Sequence, residues 1–224
     1  MINDLLNYNL KIYQNENYFK YSIDSILLAE FVNIGYRTKN IIDLCTGNAP
    51  IPLILSTKFN KEIIGVELQT EIYELAKKSI EYNSVKNITI LNKDVKKLAN
   101  DIYKYDIITC NPPYFKVTNS SIINDNKIKA IARHEIAINL EEIINIASKI
   151  INYSGSLYFV HRCERLVEMI DLLKKYNFGL RRLQFVYDNY NSNSCFILVE
   201  AKYKCKDDLK VMKPIYIDKY LEGK

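Results

Sequence analysis

The chain has 224 residues, enough for one well-cored domain and only marginally for two. Hydrophobic residues at 48% and charged residues at 25% give an ordinary globular composition, and no apolar run nears the ~18 residues that argue for a membrane span. Of the net charge of +5, most lies late: residues 161–224 hold 13 Lys/Arg against 9 Asp/Glu, which fits either a phosphate-contacting face or a solvated one.

The N-terminus, MINDLLNYNLKIYQ, has no basic flank followed by an apolar stretch, so no secretory signal is expected. Five scattered cysteines without Cys-x-x-Cys spacing read as buried reduced thiols, which points to a cytoplasmic protein and to no metal site. Residues 21–32, YSIDSILLAEFV, predict a helix that is apolar at Ile23, Ile26, Leu27, Leu28 and Phe31, with Ser22 and Asp24 as possible caps. Residues 1–39 are therefore expected to be a short helical lead-in packed on one larger domain spanning 40–224.

From residue 40 strand-like and helix-like stretches alternate. Strands are predicted at 40–45, 62–68, 88–94, 105–110 and 155–161, and helices at 52–58, 70–83, 140–152 and 164–177. Thr70 is the expected N-cap of the second of these helices. Two β-like runs, 180–188 and 194–203, close the chain without a helix between them. This order implies an α/β fold with a mostly parallel seven-stranded sheet, an antiparallel C-terminal strand and helices on both faces. Ligands on such a sheet bind at the carboxyl ends of the strands, near the switch in strand order.

Four short motifs fall at those ends. DLCTGNAP (43–50) is a tight strand-to-helix turn holding Gly47 but no G-x-G-x-x-G, so a nucleotide without a pyrophosphate suits it. Glu67 closes the second strand, either as acceptor for a ribose diol or as a surface carboxylate. Asp94, ending the third, can accept from an exocyclic adenine amine or cap the next helix, while Val95 can pack the ring. The fourth strand ends in Asn111-Pro112-Pro113-Tyr114. Tandem prolines stop the ladder, and a residue before proline is held extended, which pre-positions the Asn111 amide. Asn111 Oδ1 and the Pro112 carbonyl can each accept one N–H of a planar, poorly nucleophilic amine, and Tyr114 can stack on its face.

The array over residues 40–203 resembles the class I S-adenosylmethionine-dependent methyltransferases that carry a [DNS]-P-P-[YFW] signature. With YSIDSILLAEFV, DLCTGNAPIPLIL, ARHE (132–135) and HRCERL (161–166), most of the chain looks like the bacterial tRNA (adenine-N6)-methyltransferase family, whose members methylate the adenosine next to the anticodon of a valine tRNA. The resemblance implies a Rossmann-like domain that binds S-adenosylmethionine and a tRNA. Asp43, Cys45, Thr46, Gly47, Asn48, Glu67, Leu68, Asp94, Val95 and Asn111 would hold the cofactor. Asn111, Pro112, Pro113 and Tyr114 would carry the chemistry, with Asp24 nearby. The basic residues Arg133, Arg162, Arg165, Lys174, Lys175, Arg181 and Arg182 would face RNA phosphates, and the stretch 115–135 would lie over the target base. A monomer is expected. Cys45 and Ala49 stand where the family's turn has glycines, so a narrowed pocket or weakened cofactor binding is one consequence to test. Neither His134 nor His161 is assigned to catalysis, because the chemistry requires no base. Alternatives are a methyltransferase for ribosomal RNA, DNA or a protein glutamine, and a non-catalytic RNA-binding module on the same fold.

Overall fold

A computed structural model describes residues 1–15, 22–114 and 137–222. The first segment departs from the expected helical lead-in. Strands β1 (Ile2–Asp4) and β2 (Lys11–Tyr13) pair antiparallel, turning at Asn7, whose φ is 64°. Asn accepts that left-handed backbone more readily than most residues. Leu5 and Ile12 are fully buried, and helix α1 (Ile23–Phe31) follows. Ser22 occupies the N-cap position of α1, but no side chain caps it.

The predicted α/β alternation then forms: β3 (Asn40–Leu44), α2 (Pro50–Ser56), β4 (Glu62–Glu67), α3 (Thr70–Tyr82), β5 (Ile88–Asn92) and β6 (Tyr105–Cys110). Helix α4 (Leu140–Ile150) runs straight into β7 (Ile151–Arg162), so that helix ends earlier and the strand begins earlier than their sequence patterns suggest. Helix α5 (Leu166–Lys175), β8 (Phe178–Tyr187) and β9 (Ser194–Tyr203) follow. Gln69, not Thr70, is the N-cap of α3, and Thr70 Oγ1 donates instead to Asn92 Oδ1 at 3.0 Å.

Seven strands lie in the order β8-β9-β7-β6-β3-β4-β5, and β9 alone among these seven runs opposite to the other six. Two two-residue strands, β10 (Lys210–Val211) and β11 (Ile215–Tyr216), add parallel to β8 and bring the sheet to nine. Helix α6 (Ile217–Glu222) ends the described chain. Among the described residues no helix is long and apolar enough to cross a membrane.

Each sheet face is covered. On one side Ile42, Leu44 and Ile108 pack with Ile143, Ile144 and Leu173 of α4 and α5. On the other, Ile41, Ile63 and Ile107 pack with Leu27, Leu28, Leu53 and Ala76 of α1, α2 and α3, and Leu5 and Ile12 of the hairpin join this same core. Strand order reverses between β3 and β6, and the carboxyl ends of these two strands open the crevice that such a reversal creates.

Candidate active site

The turn after β3 is held from below by Asp43. Its carboxylate is fully buried and accepts from Thr46 Oγ1 and Thr109 Oγ1, each at 2.6 Å. Parallel pairing sets Thr109 of β6 and Gly65 of β4 opposite Asp43 on its two sides. A Cβ at Gly65 would stand 2.9 Å from Thr46 Oγ1, so glycine there leaves room for the threonine to turn inward. Burial pushes the Asp43 carboxyl up to about 7, against the pull of the two hydroxyls. Asp43 does not reach the cavity wall. The expectation that it touches the cofactor is corrected: it braces the turn that does face the cavity.

Three residues of this turn have left-handed backbone: Cys45 (φ 57°), Gly47 (φ 58°) and Ala49 (φ 69°). The chain thus keeps the geometry that glycines favour while carrying Cβ atoms at 45 and 49, at a cost of about 1–2 kcal/mol each. Ala49 is buried below the wall, whereas Cys45 lies on it. Glu67, 7% exposed, ties the turn to β4: Oε2 accepts from the Gly47 amide and Oε1 from the Gln69 amide, both at 2.9 Å. Burial raises its carboxyl, and the amides of Gln69, Gly47 and Leu68 oppose that rise.

A cavity of about 520 Å³ opens above these strand ends. Its wall takes in Cys45, Thr46, Gly47 and Asn48 from the first turn, and Glu67 and Leu68 from the second. Asp94 and Val95 follow from the third, then Asn111, Pro112, Pro113 and Tyr114 from the fourth. Asp94 uses one oxygen as a cap, accepting from the Lys96 amide at 2.9 Å, and also faces the cavity, so both of its open readings hold a place in the geometry. Asn48 Nδ2 donates to the Tyr13 carbonyl at 3.0 Å and joins the N-terminal hairpin to the turn. The hairpin is further clamped by Asn83, which accepts from the Lys11 amide at 2.8 Å and donates to its carbonyl at 2.6 Å.

At Asn111 the site meets α1. Asn111 Nδ2 donates to Ser25 Oγ at 2.8 Å. The Tyr114 phenol lies in hydrogen-bond contact with both Asn111 Oδ1 and Asp24 Oδ2. Burial and the nearby Asp24 carboxylate hold that phenol well above its ordinary value. The Tyr114 ring packs 5.3 Å from the ring of His161, centroid to centroid. His161 is fully buried, accepts from the Arg162 amide through Nδ1 at 2.9 Å, and is pushed down to about 3, chiefly by burial. It is therefore neutral at ordinary pH.

Sequence reasoning did not reach Ser25, Ile51, Gln69, Ile72 or Ile138, which line the cavity, nor Thr109 behind it. Ser25, next to Asp24 on the helix expected to pack on the domain, was the one residue with a local signal. The others are brought in by strand register and helix packing.

The basic residues divide. Arg165 is buried and makes a two-bond ion pair with Glu168, at 2.9 and 2.8 Å. Arg182 pairs with buried Glu200, donates to the Phe31 carbonyl at 2.8 Å, and sits 4.3 Å over the Phe31 ring. Both expectations of a phosphate contact are corrected: these guanidinium groups are spent on the fold, Arg182 by fastening α1 to the sheet. Lys175 pairs with Glu141 at 2.6 Å on the surface. Arg162 and Arg181 keep 39% and 32% of their side chains exposed while pairing with Glu164 and Asp208. Arg133, His134 and the stretch 115–135 lie outside the described residues.

A family model described as the methyltransferase small domain matches residues 21–181, which includes every motif on the cavity wall. The chain belongs to this methyltransferase family. It is 27% identical over 183 residues to a tRNA1(Val) (adenine(37)-N6)-methyltransferase of Cytophaga hutchinsonii, covering 80% of this chain and 74% of that protein. A relative of the same name from Histophilus somni is 32% identical over 153 residues, covering 66% of this chain but only 63% of its own length. Among solved structures, a predicted O-methyltransferase from Agrobacterium tumefaciens superposes with a TM-score of 0.67 at 20% identity, over 89% of this chain and 96% of that one. A T. thermophilus 16S rRNA N2 methyltransferase, solved in complex with AdoMet and guanosine, superposes with a TM-score of 0.63 at 18% identity, over 91% of this chain and 50% of that one. The fold is that of the Rossmann-like methyltransferases.

Proposed function

We propose that this methyltransferase uses S-adenosylmethionine to methylate N6 of an adenosine in tRNA, next to the anticodon of a valine tRNA, and acts in the cytoplasm. The printed names of its relatives support the substrate. The observation that carries the reading is the meeting of the Asn111 amide and the cofactor-type turn on one cavity at the strand-order reversal.

The donor set fits the cofactor. The Glu67 oxygens, each already accepting one backbone amide, keep lone pairs for a ribose diol. Asp94 offers a carboxylate oxygen to an adenine amine, and Ile72 and Val95 give apolar walls for its ring. The turn at 45–48 presents backbone to the amino-acid end. When bound, the cofactor supplies an electrophilic methyl group on a sulfonium.

The rest is positioning. A nucleobase amine is a weak nucleophile because its lone pair is delocalised into the ring. Asn111 Oδ1 and the Pro112 carbonyl accept its two N–H groups, which holds the nitrogen and aims its lone pair at the methyl. Alignment of this kind lowers the barrier without a strong base, and neutral, buried His161 is not needed as one. Tyr114 stacks against the extruded base, and an unpaired anticodon-loop base is easier to extrude than a paired one. Arg162 and Arg181 are the described basic residues, of those proposed from sequence, with guanidinium groups open to RNA phosphates.

The reading as a non-catalytic RNA-binding module rested on the glycines missing at 45 and 49. Both positions keep the left-handed backbone, and the cavity remains, which supports an enzyme.

Incubation with labelled S-adenosylmethionine and total tRNA, followed by nucleoside analysis, tests the proposal. N6-methyladenosine in a valine tRNA is expected, with turnover lost in Asn111→Ala while cofactor affinity is kept. Methylation of a release-factor protein alone would overturn the RNA reading.

A further inference from the structure

Asp24 is 5% exposed and stands in the first turn of α1, where an acidic residue commonly serves the helix. Its hydrogen bonds point elsewhere. Oδ1 accepts from the Ser25 amide at 2.8 Å and from the Ser22 hydroxyl. With that oxygen held twice, Oδ2 is aimed at the tip of the fourth strand, where it accepts from the Tyr114 phenol.

The same phenol lies against Asn111 Oδ1. A phenol has one proton and can donate to one acceptor at a time. Asn111 Oδ1 is the oxygen that the proposed chemistry assigns to the incoming amine. The other end of the amide, Nδ2, donates to Ser25 Oγ, so Oδ1 is the end turned toward the phenol and the incoming amine. A phenol donating to Oδ1 would therefore compete with the substrate for the acceptor that matters.

We propose that Asp24 is a positioning residue that draws the Tyr114 proton away from Asn111 Oδ1, leaving that oxygen open to an N–H of the acceptor nitrogen. A carboxylate wins this competition because a hydrogen bond to an ionised acceptor is about twice as strong as one to a neutral amide. Helix α1 thus acts on the amide from both ends: Ser25 sets its orientation, and Asp24 clears its oxygen. This rests on the reading of Asn111 as the group that holds the acceptor nitrogen.

The role runs through the Tyr114 hydroxyl, and that gives it a signature. Loss of Asp24 should be harmful while the hydroxyl is present and less so once it is removed. The measurement is kcat and KM for tRNA, with cofactor affinity by calorimetry, on wild type, Asp24→Ala, Asp24→Asn, Tyr114→Phe and Asp24→Ala/Tyr114→Phe. Asp24→Ala is expected to lower kcat/KM by about tenfold, the scale of one hydrogen bond, with cofactor affinity within about threefold. Asp24→Asn, which keeps a carbonyl acceptor, should lose less. Asp24→Ala should cost little further in the Tyr114→Phe background, whatever Tyr114→Phe costs alone. That coupling does not arise if Asp24 merely supports α1. An Asp24→Ala as fast as wild type, or a double variant that falls below Tyr114→Phe by the same factor as Asp24→Ala falls below wild type, overturns the proposal.

If the wild type methylates a protein glutamine instead of tRNA, the RNA reading fails. The same series then reads out on the amide nitrogen, which presents equivalent N–H groups. If neither acceptor is methylated, the readout is the Tyr114 ¹³Cζ resonance, identified by its loss in Tyr114→Phe. A shift of that resonance in Asp24→Asn supports the hydrogen bond, and an unmoved one overturns it.

Discussion

Replacing Asp43 with Asn isolates the energetic cost of the carboxyl that braces the cofactor turn. Asp43 is fully buried, and burial raises it from 3.8 to about 7. Between these values the unfolded chain has released the proton and the folded chain still holds it. Folding therefore takes up a proton in this window, and stability falls as pH rises through it. The contribution is fully present below pH 3.8 and is gone above about pH 7. Each pH unit is worth about 1.4 kcal/mol, so the window amounts to at most about 4 kcal/mol. Asn titrates nowhere in the range. The stability of Asp43→Asn minus that of wild type should rise from about pH 4 to about pH 7 and then level off. Asn, like the protonated acid, offers one acceptor and one donor end to Thr46 and Thr109, so the change of an O–H for an NH2 adds only a pH-independent offset of about 1 kcal/mol. Only the slope carries the argument. Urea denaturation of both proteins across this range measures it, and two parallel stability curves would refute the buried, protonated carboxyl.

Glu67→Ala should weaken cofactor binding by at least about tenfold in calorimetry, since it removes the carboxylate proposed for the ribose along with the brace on the Gly47 amide; unchanged affinity would remove Glu67 from the site. Ala49→Gly should be near neutral in chemical denaturation, within about 1 kcal/mol, because relief of a left-handed alanine offsets the lost methyl burial. Ala29→Gly, equally buried but inside α1, should cost about 2 kcal/mol, and equal losses at the two positions would refute this account of the turn. Arg182→Ala should destabilise the fold by about 3 kcal/mol by leaving the buried Glu200 carboxylate unpaired. The salt dependence of tRNA binding should stay as in wild type, and a shallower dependence would return Arg182 to the RNA surface.

The parts of this protein legible in its sequence are those written in local pattern. Runs such as NIIDLC and YDIITC have no polar alternation, so they must be strands covered on both faces, and the helices between them force parallel pairing. Strand ends inherit a place in the fold from that order alone, which is why Gly47, Glu67, Asp94 and Asn111 could be named before any contact was seen. What tertiary structure decided is pairing over distance. Strands of three residues carry no usable period, so the N-terminal hairpin read as part of a helical lead-in. Charge and spacing say that an arginine is basic but not which carboxylate it meets, and Arg182 finds Glu200 only because β8 and β9 lie in antiparallel register. The family resemblance put Asp43 among the cofactor residues, and only Thr109, 66 residues on and opposite it in the sheet, shows it pointing inward. Asp24 and Tyr114 are 90 residues apart, and the packing of α1 over the strand ends is what sets them against the same amide. Local pattern places a residue on an element, and register and packing choose its partner, because hydrogen bonds and ion pairs depend on separations of a few ångströms that no run of neighbours along the chain encodes.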